Sequence, residues 1–119
     1  MKNAIAVAYL GDAVYELFIR EYLINTGISK VSDLYKASLK YVSASSQTKH
    51  LEHLLAKNSL SEEELEIIKR GRNAKSNKPK NTDVLTYRKA TGLECLIGQL
   101  YLDKKYERIN DIMNLIVGD

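Results

Sequence analysis

Apolar side chains along this chain recur at helical spacing, and the strict alternation of a half-buried strand is hard to find outside short runs. Leu10, Ala13, Val14 and Leu17 stand at i, i+3, i+4 and i+7 and predict the core stripe of a first helix over residues 4–25. Tyr15, Phe18 and Tyr22 lie beside that stripe. At about 100° per residue the apolar arc is roughly 200° wide, about twice what one core face requires, so something beyond the chain's own core is expected to cover it. A second helix is predicted to begin near Ser32 and Asp33, both good N-cap types, to break around residues 40–42 and to resume over residues 43–57. Ser61 and Glu64 have the spacing of a capping box and predict a short helix ending near Gly71. Leu93, Leu96, Ile97, Leu100 and Tyr101 mark a long helix from about Val84, capped by Thr82 or Asp83, and Asp103 is expected to open a last helix reaching about Val117. The fold class that follows is all-α.

Composition narrows this further. A chain of 119 residues makes a single domain, residues 1–119, with nothing left for a second. Its 45% hydrophobic and 28% charged residues, with one Pro, are enough to bury a core and unlike a disordered chain. A lone cysteine, Cys95, cannot staple the fold, and neither a secretory pattern nor a membrane-length apolar stretch is visible, so a cytoplasmic location without membrane attachment is expected. The net charge of +3 hides an uneven distribution: residues 69–80, KRGRNAKSNKPK, carry six basic side chains and no acid, which leaves −3 on the rest.

Two acids stand in otherwise apolar helices, Asp12 in AIAVAYLGDAVYELFI and Glu94 in TGLECLIGQLYL. A carboxylate in such a setting is costly unless a cation or hydrogen-bond donors compensate it. Each has a glycine nearby, Gly11 and Gly98, where another backbone or a ligand can come close. Two hard oxygen ligands from separate helices suit Mg²⁺ when water and substrate phosphate complete its octahedron. The plainer alternative places Asp12 on a polar stripe with Glu16 and Arg20 and pairs Glu94 with Arg88 or Lys89. The basic segment suits a nucleic-acid backbone, and its lack of interleaved aromatics favours a duplex over stacked single-stranded bases; a solvated surface loop is the alternative. His50 and His53, at i and i+3, lack both zincin spacing and a third ligand and are expected to be merely solvated on a polar helix face, and Cys95, inside an apolar run, is expected to be a small core residue.

The strings LGDAVYEL (10–17) and LECLIGQLYLD (93–103) resemble the two acidic helices of the ribonuclease III catalytic domain. YVSASSQ (41–47), KRGRNAKS (69–76) and PKNTDVLTYRKATGLE (79–94) are similar to that family's short bacterial branch, Mini-ribonuclease III. The resemblance runs from about Ala6 to Leu102. It implies an all-α, homodimeric, Mg²⁺-dependent endonuclease without a separate RNA-binding domain. Such an enzyme cuts double-stranded RNA to 5′-phosphate and 3′-hydroxyl ends, with precursor of large-subunit (23S) ribosomal RNA as substrate class and a ribosomal protein left open as a further partner. Asp12 and Glu94 match the catalytic, metal-binding acids of the family. Ala8 and Thr91 stand where the longer enzymes carry two more, so two carboxylates replace four and the metal count stays open. On this reading Lys69, Arg70, Arg72, Asn73, Lys75, Ser76, Lys78, Lys80 and Arg88 contact RNA, and Tyr15, Phe18 and Tyr22 form the dimer interface. Two rivals are a non-catalytic RNA-binding or ribosome-associated dimer of the same fold, and an all-α DNA-binding regulator.

Overall fold

The computed structural model describes residues 2–75 and 83–118. Among these residues lie six helices and no strand: α1 (Ala4–Asn25), α2 (Val31–Val42), α3 (Ala44–Ala56), α4 (Glu62–Asn73), α5 (Val84–Leu102) and α6 (Tyr106–Val117). Four of the six N-caps follow from side-chain chemistry. Helix α2 instead starts at Val31 after Lys30, without a side-chain cap, so Ser32 and Asp33 lie inside its first turn rather than capping it, and α6 after Lys105 has none either. Asn3 accepts from the amides of Ile5 and Ala6, Ser43 from Ser46, and Asp83 from Thr86, each satisfying amides that have no partner inside the helix. Ser61 and Glu64 form the predicted capping box.

Helix α5 is the axis of the domain and packs against α1, α3, α4 and α6. Leu93, Leu96 and Ile97 are completely buried, each contributing about 1.5–3 kcal/mol relative to exposure. Two glycine contacts set how closely its neighbours approach. A Cβ on Gly11 of α1 would overlap the carbonyl oxygen of Glu94, and one on Gly98 of α5 would overlap that of Val7. On the other side, a Cβ on Gly71 of α4 would meet Cys95 and Gly92. Helix α4 thus crosses α5 within a turn of Glu94.

Three expectations are corrected. The buried face of α1 is Val7, Ala8, Gly11, Val14, Tyr15, Ile19 and Leu23, whereas Ala13 is exposed and Leu17 is 66% exposed. Only Val14 of the predicted stripe is fully buried, with Leu10 packed at the core's edge. Asp103 caps the C-terminus of α5, and α6 starts at Tyr106. Helix α4 runs two residues past Gly71, so Arg72 and Asn73 are helical.

An ion pair invisible to periodicity ties α6 to α4. Arg108 donates to both carboxylate oxygens of Glu64 at 2.7 Å and to the carbonyl oxygen of Ser59 at 2.7 Å. The arginine holds the Glu64 carboxyl below the usual carboxylate range.

Candidate active site

Asp12 and Glu94 come together although they lie on different helices. The Gly11 contact brings α1 onto the turn of α5 that carries Glu94, and the Asp12 carboxyl comes close enough to act on that of Glu94. Asp12 is exposed and Glu94 partly buried, so the pair sits at the rim of the core with one member open to solvent. Glu16 and Arg20 pair with each other at 3.3 Å, and Lys89 pairs with Glu52 at 3.5 Å, so two of the three cations of the plainer alternative, Arg20 and Lys89, are committed elsewhere.

The donors around Glu94 are neutral. Gln47 of α3 donates its Nε2 to Glu94 Oε2 at 3.4 Å. Tyr15, fully buried, lies close enough to Glu94 to feel its charge and donates its hydroxyl to the carbonyl oxygen of Tyr41 at 2.6 Å. Burial, and after it the neighbouring Asp12 carboxyl, push Glu94 up to about 8, against a smaller opposing effect of Gln47. Two acids are thus packed together with no ion pair to a positive side chain among the described residues, an arrangement that a divalent cation would relieve.

This donor set fits Mg²⁺. Two carboxylates on separate helices supply part of an octahedron, one of them facing solvent from which water and a phosphate oxygen can enter. Among the described residues no group of three or more His, Cys, Asp or Glu side chains is arranged to hold a metal, and the two carboxylates are the candidate donors. The positions one turn before them add none: Ala8 is buried beside Val7 and Cys95, and Thr91 is buried with its hydroxyl donating to the carbonyl oxygen of Tyr87 at 2.9 Å.

The remaining candidates divide. Lys69, Arg70, Arg72 and Asn73 are exposed on the last turns of α4, Lys75 follows them, and Arg88 is exposed on the first turns of α5. Ser76, Lys78 and Lys80 lie outside the described residues. His53 is exposed as expected, whereas His50 is buried rather than solvated, its ring stacked on Tyr41 at 5.9 Å; burial raises the Cys95 thiol to about 11, as a core role requires. Tyr15 is 0% exposed and belongs to the core of its own chain, which corrects its placement in a dimer interface. Phe18 and Tyr22 are half-buried and pack against the same core. The apolar residues of α1 that do face solvent are Ala6, Tyr9, Ala13, Leu17 and Ile24.

Sequence reasoning missed Gln47 as a member of the site. The signal was present: Gln47, Leu51 and Leu54 stand at i, i+4 and i+7, so a polar residue occupies a core-stripe position.

The chain matches the family model described as "Ribonuclease III domain" over residues 6–105. It is similar to the Mini-ribonuclease 3 of Staphylococcus aureus, 47% identical over 116 residues that cover 97% of this chain and 87% of that protein. It is also similar to the Mini-ribonuclease 3 of Desulfitobacterium hafniense, 50% identical over 107 residues, or 90% of this chain and 67% of that protein. A crystal structure of a Fusobacterium nucleatum protein superposes with a TM-score of 0.86 at 36% identity, covering 98% of this chain and 93% of that one.

Proposed function

The chain belongs to the ribonuclease III domain family, in its Mini-ribonuclease 3 branch, and from that premise we propose that it is a Mg²⁺-dependent endoribonuclease acting on double-stranded RNA. The observation that carries the reading is the Asp12–Glu94 pair, two neighbouring carboxyls with no ion pair to a positive side chain among the described residues. Asp12 and Glu94 would hold the metal. When bound, Mg²⁺ lowers the pKa of a coordinated water and stabilises charge developing on a phosphodiester, so that hydrolysis leaves 5′-phosphate and 3′-hydroxyl ends.

The chain's own residues supply position and affinity. Glu94 is fixed by Gln47 and by the Gly11 contact, and Asp12 reaches solvent from the neighbouring helix. Lys69, Arg70, Arg72, Lys75 and Arg88, with Asn73 adding a neutral donor, grip phosphates and sugars of an A-form duplex by shape more than by sequence. Ser76, Lys78 and Lys80 extend that role from outside the described residues. The proposed substrate class is precursor of 23S ribosomal RNA in the cytoplasm. Among the described residues no helix is long and apolar enough to cross a membrane.

We further propose a homodimer built on the solvent-facing stripe of α1. Tyr9, Leu17 and Ile24 are 84%, 66% and 58% exposed, an amount of apolar surface that a second copy would cover. A groove of about 230 Å³ between α1 and α2, lined by Leu23, Ile24, Val31, Leu34 and Tyr35, continues that surface. Phe18 and Tyr22 would add only their outer edges. The substrate class is tested by offering a long duplex as RNA and as DNA of one sequence. Cleavage of the RNA alone, with Mg²⁺ present, is expected; equal binding of both without cleavage contradicts the reading.

A further inference from the structure

We infer that Gln47 is a positioning residue for the acidic pair, its side-chain amide holding the Glu94 carboxylate in the orientation that receives a divalent cation. The inference rests on the endonuclease reading above and adds the third helix to the site. Gln47 is 2% exposed, at a place in the α3 stripe where an aliphatic side chain would pack at lower cost. A buried amide is tolerated where it meets a partner that repays its desolvation, and its Nε2 lies 3.4 Å from Glu94 Oε2.

Its reach is fixed from both sides. The next residue, Thr48, donates its hydroxyl to the carbonyl oxygen of Thr86 at 3.0 Å, which pins α3 to α5. The Tyr15 hydroxyl holds the carbonyl oxygen of Tyr41 just before α3, which ties the same segment to the helix that carries Asp12. Gln47 is therefore held relative to both acid-bearing helices at once. An amide is also the suitable chemistry: it donates to a carboxylate without bringing a positive charge to the place a cation must occupy. Lysine or arginine there would neutralise Glu94 and compete with the metal.

The test uses the full chain free of RNA, with Mn²⁺ as the probe and isothermal titration as the readout. Gln47→Met keeps the volume and removes the donor. It is expected to bind Mn²⁺ about 10-fold or more weakly than wild type, the usual size of an outer-shell effect. It should also lower kcat on duplex RNA with KM for RNA unchanged. Gln47→Asn keeps an amide that is one methylene too short and is expected to weaken Mn²⁺ binding as well; it carries the test if Gln47→Met does not fold. A folded variant that binds Mn²⁺ like wild type, even with a shifted melting temperature, overturns the inference and leaves the endonuclease reading standing. A wild-type chain that neither binds Mn²⁺ nor cuts duplex RNA overturns both.

Discussion

The Asp12 carboxyl acts on that of Glu94 across two helices that meet at Gly11, where a single added methyl would strike the backbone of Glu94. The acids are neighbours because a glycine lets the helices touch.

That contact makes Gly11 a sharp test of the packing. Alanine there, or at Gly98, must push α1 away from α5, and the expected loss of stability is about 1–3 kcal/mol or more. Urea denaturation measures it. A change below about 0.5 kcal/mol would mean that the helices separate without cost.

Glu94 predicts how stability without metal depends on pH. Its ordinary value is 4.5 and in the folded chain it rises to about 8, so across that interval the folded state retains a proton that the unfolded chain has released. Stability is then greatest at the acid end of the window and falls as pH rises through about 8. The thermal midpoint in EDTA is expected to decline between these limits, and Glu94→Gln to flatten the decline. Saturating Mg²⁺ should raise the midpoint of wild type at pH 8 and leave that of Glu94→Gln nearly unchanged. Identical slopes for the two proteins would remove Glu94 as the cause.

Arg108 and Glu64 act in the opposite sense. The lowered Glu64 carboxyl contributes stability above its ordinary pKa, and that contribution disappears on acidification as the carboxyl protonates. Arg108→Ala leaves Glu64 and the carbonyl oxygen of Ser59 without this donor, for an expected cost of about 2–3 kcal/mol in denaturant at neutral pH. The partly exposed arginine keeps that figure below the fully buried case.

The dimer face is tested by Leu17→Glu. Leu17 is 66% exposed, so the charge should leave the fold intact and shift equilibrium sedimentation to monomer. Phe18→Glu, by contrast, should unfold the chain at lower denaturant because Phe18 packs on the core. A Leu17→Glu protein that associates like wild type would move the interface elsewhere.

Each basic residue on the last turns of α4 should carry a measurable share of RNA affinity. Arg72→Ala is expected to reduce the slope of log affinity against log salt by about one without changing sequence preference. An unaltered slope would place Arg72 off the RNA.

Much of this was legible in the sequence, for identifiable reasons. The span of α1, the capping box at Ser61 and the α5 stripe follow from spacing and cap chemistry, which are local. The buried face of α1 was not legible, because a helix apolar on nearly every side has no unique stripe; the small residues Ala8 and Gly11, which admit α5, select the face that turns inward. Tyr15 was misplaced for the same reason. The acids stood out as charges in apolar runs, whereas their approach to each other and the Gln47 contact depend on how three helices cross. The Arg108–Glu64 pair joins helices whose charges look ordinary one at a time.

The central claim is that Asp12 and Glu94 together hold the metal that cuts RNA. Its most direct measurement is cleavage of a long RNA duplex in Mg²⁺ by wild type, Asp12→Asn and Glu94→Gln, with duplex binding followed in parallel. The account predicts that both variants bind the duplex as wild type does and lose cleavage by at least about 100-fold. Cleavage that survives either substitution, or is equally fast in EDTA, would contradict it.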